Sequence, residues 1–251
     1  MTRLFSLDLD GSRALTGRVS IPNPLQTSGT SRPVPLLVCI HGGSYDSEYF
    51  DIDSKHSIFE LGKSLRIPVV AIDRPGYGGS TAYTDLKNED IEERGTTFSN
   101  EQGKYLDSTV FPALWKEFGP SSEHGCISAF HRGHGGYHRG GNSHMHESPD
   151  SNQRSSENNN GNRESLHTDE QQTYMWFNPS VKDTLMLNFP PKANRELLID
   201  PKVPSYTEAL NKPVPLGELH DIRTTWQNYW VSYAEQITVP FLYGVGDHDG
   251  F

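Results

Sequence analysis

Two short stretches in which nearly every side chain is apolar, Val34-Pro35-Leu36-Leu37-Val38-Cys39-Ile40 and Ile67-Pro68-Val69-Val70-Ala71-Ile72, leave this chain few folds to choose from. A strand with one wet face alternates polar and apolar residues. A run without alternation fits a strand buried on both faces, as inside a parallel sheet flanked by helices. Between the two runs, residues 57–65 carry Ile58, Leu61 and Leu65 at helical spacing, so the order is strand, helix, strand. That order predicts an α/β architecture with a mostly parallel sheet, and 251 residues suffice for one such domain.

The flanking sequence extends the pattern. Residues 3–9 and 14–21 are extended runs joined by Asp10-Gly11-Ser12, a turn signal that predicts an antiparallel hairpin. Residues 23–35, rich in Pro, Ser, Thr and Gly, read as a surface loop. Residues 89–93 continue the pattern, and 102–118 place Leu106, Val110, Leu114 and Phe118 four apart, the core-facing stripe of an amphipathic helix stopped by Pro120. Residues 125–130 form the next short strand.

The formal charge of −10 argues against a nucleic-acid surface, which needs a basic face. Cys39 and Cys126 lie in apolar strand-like runs, where a free thiol behaves as a small hydrophobe, so no disulfide framework is expected. Residues 1–10 lack the apolar core of a signal peptide, and the apolar runs are too short to span a bilayer. A cytoplasmic protein without a membrane partner is the expectation.

Each buried strand ends in glycine. The first runs into His41-Gly42-Gly43-Ser44, where a sharp turn leaves backbone N–H groups free to point into a cleft at the strand's C-terminal end. The second runs into Asp73-Arg74-Pro75-Gly76-Tyr77-Gly78-Gly79-Ser80. Together, at the ends of successive strands with a helix between, the two motifs resemble the α/β-hydrolase superfamily over residues 34–128. More narrowly, the chain resembles hydrolases of fungal toxin and secondary-metabolite pathways, some of them peroxisomal. The resemblance implies a serine nucleophile on a strand-to-helix turn, a histidine base oriented by an acid, and N–H groups near Gly43 and Ser44 holding an oxyanion formed from a small acyl substrate. It implies no cofactor.

The nucleophile turn is broken. Where the superfamily has Gly-x-Ser-x-Gly, this chain has His131-Arg132-Gly133-His134-Gly135-Gly136, with Gly133 in the serine's place. From 131 to 172 the only large apolar or aromatic residues are Tyr137, Met145 and Leu166, among histidines and a run of Ser, Asn, Gln, Arg and Glu. Such a segment is expected to be disordered. A frame shift would account for it. Codons permitted for 129–141, read from the second base, spell His-Ser-Ile-Gly-Gly-Met-Ala-Val-Ile-Thr-Ala-Ala, with the original frame recovered near Thr173. His131, His134 and His138, with His144 and His146 beyond, permit a rival reading as a metal-binding segment. The glycines among them disfavour the helix that would align them, and no functional metal site is expected.

Residues 173–236 read as a helical, cap-like region, with Trp226, Tyr229, Trp230 and Tyr233 at helical spacing in 219–233, read as packing in preference to an acyl pocket. Residues 237–243 are a further buried strand, followed by Gly246-Asp247-His248-Asp249. By resemblance Asp249 is the triad acid and Asp247 the reserve. The chain is expected to stop before the histidine, and Asp249-Gly250-Phe251 is no Ser-Lys-Leu-type peroxisomal signal. The domain organisation expected is therefore 1–130 as the front of the core, 131–172 as the insert, 173–236 as the cap and 237–251 as the acid-bearing strand. Three functional readings remain open: a hydrolase lineage that is defective as it stands, a non-catalytic acyl-ligand binding protein, and an enzyme using Ser128 or Ser143.

Overall fold

A computed structural model describes residues 2–10, 12–22, 34–82, 98–119, 127–131, 166–168, 173–179 and 202–221. These form a mixed α/β body with one five-stranded sheet, a small three-stranded sheet and few helices. Strands β1 (Arg3–Asp8) and β2 (Ala14–Ser20) make the expected hairpin, Arg3 opposite Val19 and Asp8 opposite Ala14. Asp10 shapes its turn by accepting from the backbone N–H groups of Ser12 and Arg13. β3 (Leu36–Ile40), β4 (Val69–Ile72) and β5 (Ile127–His131) are mutually parallel, with β3 in the middle, and β2 closes against β4 antiparallel. The order is β1-β2-β4-β3-β5.

The uninterrupted apolar runs are explained by cover on both sheet faces. On one, Leu36, Val38, Ile40, Val70 and Ile72 join Phe5, Leu15 and Val19 against Leu106, Val110, Leu114 and Phe118. On the other, Cys39, Val69 and Ala71 pack with Phe50 and Phe59. Cys39 is a free, buried thiol whose pKa desolvation pushes up to about 12.

The four-residue stripe is met by a single helical run, α2 (Phe98–Tyr105), a π-helical segment (Leu106–Val110) and α3 (Phe111–Phe118). In a straight α-helix residues four apart drift about 40° around the axis at each step. A wider π turn slows that drift, so all four side chains stay on the sheet.

Helix α1 (Ile58–Leu65) forms as expected, with Ser57 capping it through Glu60 N–H, yet its buried face is not the one the leucines mark. Leu61 and Leu65 are 51% and 59% exposed, while Phe59 is fully buried and Gly62 faces the sheet. A Cβ on Gly62 would lie 2.3 Å from Val69 Cγ2, so the helix sits down on the sheet through its smallest residue.

Past the front half, β6 (Leu166–Thr168), β7 (Thr173–Met175) and β8 (Val214–Pro215) form an antiparallel sheet, followed by α4 (Leu216–His220). Within the expected insert, Leu166–Thr168 pairs as a strand. Within the expected cap, the described residues include the strands Thr173–Met175 and Val214–Pro215, a 3-10 helix at Val203–Tyr206 and the helix Leu216–His220. No helix among the described residues is long and apolar enough to cross a membrane.

Candidate active site

The C-terminal ends of β3 and β5 lie side by side, Ile40 opposite His131. The loop after β3 leads through α1 to β4 on one side, while β5 lies on the other, so this crest is where parallel α/β sheets place ligands. Two motifs of the sequence converge on it.

In the first, His41 is fully buried and held at both ring nitrogens. Arg74 N–H donates to Nε2 at 3.0 Å, which puts the proton on Nδ1, and Nδ1 in turn donates to the Gly42 carbonyl at 2.7 Å. Both nitrogens are thus engaged in joining the β3 and β4 turns, and the ring packs edge-on against Tyr77. Gly42, Gly43 and Ser44 are all buried. The left-handed backbone falls on Ser44 (φ 65°), not on either glycine, and an L-residue adopts it at a cost of about 1–2 kcal/mol. Ser44 is held there from two directions. Its Oγ donates to Asn211 Oδ1 at 3.0 Å, and its carbonyl accepts from Lys212 N–H at 3.1 Å.

In the second motif, the Asp73 carboxylate accepts from Thr16 Oγ1 at 2.6 Å and from Ser47 N–H at 2.8 Å, tying β2, the β3 loop and β4 together. Ser80 Oγ donates to the Asp73 carbonyl and accepts from Thr16 N–H. Tight turns at Arg74–Tyr77 and Tyr77–Ser80 place Gly76 and Gly78 at positive φ, and a Cβ on Gly78 would fall 2.6 Å from Asp73 Oδ2. This motif is a structural knot.

The knot's remaining side chains meet the back half. Arg74 donates to Gln102 Oε1 (2.8 Å) and Glu218 Oε1 (2.7 Å), and Tyr77 donates to Glu218 Oε2 (2.8 Å), all four residues being buried. Burial opposes the Arg74 charge, but facing Glu218 and Tyr77 outweigh it and raise its pKa. Burial and then the Glu218 carboxylate push the Tyr77 hydroxyl well above its usual range. Arg74 Nε and Gln102 Nε2 find no hydrogen-bond partner among the described residues. Sequence reasoning missed Glu218, Asn211 and Lys212 as crest residues, because only the fold brings them within reach of positions more than a hundred residues away.

Of the residues singled out from sequence, Gly43 and Ser44 are at the crest, and Ser128 pairs opposite Leu37 within β5. Gly133, Ser143, Asp247, His248 and Asp249 lie outside the described residues, as do Cys126, the histidines from His134 to His146, and the aromatic residues of 222–233. No group of three or more His, Cys, Asp or Glu among the described residues could hold a metal.

No family model matches this chain, and no curated protein matches it. Among solved structures it is similar to a bacterial membrane phospholipase A described as a virulence factor, at 17% identity and TM-score 0.23 over 40% of this chain and 28% of that one. It is also similar to a cold-adapted esterase from an Arctic intertidal metagenomic library, at 27% identity and TM-score 0.27 over 53% and 49%. A third is an acetyl xylan esterase from Bacteroides fragilis, at 18% identity and TM-score 0.30 over 51% and 42%. The chain spans about half the length of these proteins or less.

Proposed function

We propose that this chain is built on an α/β-hydrolase scaffold, descended from a serine hydrolase of esters, thioesters or amides, and that as it stands it does not turn substrate over. The reading rests chiefly on the state of Ser44. In such a lineage this turn would face a developing oxyanion, but here the Oγ and carbonyl of Ser44 are taken by Asn211 and Lys212. Beside it, β5 brings Phe130 and His131 level with Cys39 and Ile40, where a nucleophile strand would deliver serine. Gly43 and Ser44 are the remnant of the oxyanion turn and Asp249, with Asp247 in reserve, the remnant acid. The ligand is a small acyl compound of secondary metabolism, bound without a cofactor.

The test is to offer the purified chain p-nitrophenyl acetate and butyrate and, separately, a fluorophosphonate. Hydrolysis at the rate of buffer and an unchanged intact mass are expected. Turnover well above buffer that is lost on Asp249→Ala would overturn the reading, and a phosphonylated Ser128 or Ser143 would replace it with that of an enzyme using a displaced nucleophile.

A further inference from the structure

Segment 202–221 is fastened to the front half almost entirely through polar groups, at three places. Near its start, Lys202 Nζ (3.1 Å) and Tyr206 Oη (2.6 Å) both donate to Asp53 Oδ2. In the middle, Asn211 and Lys212 take the hydroxyl and carbonyl of Ser44, and Lys212 Nζ reaches Asp46 (3.1 Å) and Glu48 (3.2 Å). At its end, Glu218 meets Arg74 and Tyr77 in the buried cluster. Among its described side chains Leu210, Val214 and Pro215 are the buried apolar ones, and Val214 and Pro215 also pair with β7.

We infer that 202–221 is a releasable strap over the Gly43–Ser44 turn, locked by the Arg74–Glu218–Tyr77 cluster, and that Ser44 becomes available to a ligand only when the strap lifts. Three features support this. First, while the strap is shut, the hydroxyl and the carbonyl of Ser44 are both held by the strap itself, and lifting it frees both. Second, the lock is incompletely satisfied: Arg74 Nε and Gln102 Nε2 are buried without partners among the described residues, and hydrating them favours the open state. Third, an element whose described links to the sheet are chiefly hydrogen bonds and ion pairs, and not a shared apolar core, fits the part of a structure that opens locally while the core stays closed. The inference rests on these contacts and stands whether or not the chain is of hydrolase descent.

Thiol labelling reads the opening directly. In a Cys126→Ser background, Ser44→Cys replaces the shielded hydroxyl with a thiol of similar size. Cys39, buried in β3 on the face covered by Phe50 and Phe59, serves as an internal reporter of global unfolding. Iodoacetamide is expected to modify the introduced thiol slowly in the otherwise intact chain. Adding Glu218→Gln is expected to speed this on the order of a hundredfold, as breaking a buried ion pair does, with Cys39 still unmodified by mass spectrometry. Equal rates with and without Glu218→Gln would overturn the inference. So would Cys39 reacting in step with the introduced thiol in the intact strap, since opening would then be global unfolding. If Glu218→Gln prevents folding, Lys212→Ala takes its place and is expected to give a smaller acceleration in the same direction, no acceleration again counting against the strap.

Discussion

Replacing Asp73 tests whether the Asp-Arg-Pro-Gly-Tyr-Gly-Gly-Ser motif holds the fold together. The Asp73 carboxylate is 7% exposed and accepts two hydrogen bonds from neutral donors, the Thr16 hydroxyl and the Ser47 amide. A hydrogen bond to a charged group contributes about 1.5–3 kcal/mol. Asp73→Ala removes both and leaves two donors poorly paired, so a loss of about 3–5 kcal/mol is expected. That is a large part of the roughly 5–15 kcal/mol that holds a domain folded. Asp73→Asn keeps an oxygen for Ser47 N–H and turns its amide toward Thr16, so about 1–3 kcal/mol is expected. Asp107→Ala, on the exposed side of the π-helical segment, is the control and is expected to stay within about 0.5 kcal/mol. Urea unfolding followed by tryptophan fluorescence measures all three. A double-mutant cycle of Asp73→Asn with Thr16→Val adds the sharper check, since residues sharing one hydrogen bond must be non-additive. Asp73→Ala costing under about 1 kcal/mol, or an additive cycle, would refute the knot.

Gly78→Ala forces a Cβ against Asp73 Oδ2 at positive φ and is expected to lower stability by about 1–3 kcal/mol. Gly103→Ala, in α2 with nothing within 4 Å of the new methyl, is expected to raise it by about 0.5–1 kcal/mol, both read from urea midpoints. Asp53, whose carboxyl is held below its ordinary range by the Tyr206 hydroxyl and then by His56 N–H, stabilises the fold above the unfolded value near 3.8 and loses that contribution as pH falls through its folded value. Asp53→Asn is therefore expected to lower the urea midpoint at pH 7 and to flatten its decline below about pH 4. Asp46 acts oppositely, since burial raises its pKa against the pull of Lys212, and Asp46→Asn is expected to be the milder change at pH 7. Finally, the gene across codons 129–141 is expected to spell His-Ser-x-Gly-Gly one base out of frame, and a nucleotide sequence that does not rejects the frame-shift reading.

What was legible in the sequence follows the range of the interactions. The hairpin, β3, β4 and the 102–118 helix could be read because alternation, unbroken apolar runs and a four-residue stripe are local records of which face is buried. The buried face of α1 could not, because apolar spacing counts large side chains. Here the contact is made by Gly62, which matters for the side chain it lacks. The β3 turn was legible as a turn. That its left-handed residue is Ser44 follows only from Asn211 and Lys212 closing around it. The role of Arg74 was hidden for the same reason, its counter-charge lying in α4.

Those long-range pairings also bear on the break between 131 and 172. A buried guanidinium without a facing carboxylate is costly, and removing one partner of such a pair costs about 3–5 kcal/mol. A stretch translated in an arbitrary frame has no reason to supply a carboxylate opposite Arg74, an amide opposite Ser44 and a cation opposite Asp46 and Glu48, all within residues 211–218. The back half supplies all three. Segment 202–221 therefore reads as sequence selected together with the front half, whatever interrupts the chain between them. The hydrolase-like motifs remain for a related reason. His41, Asp73, Gly78 and Ser80 are committed to joining β2, β3 and β4, so the nucleophile loss proposed above would leave their structural work unchanged. On that proposal the motifs persist because they are parts of the fold.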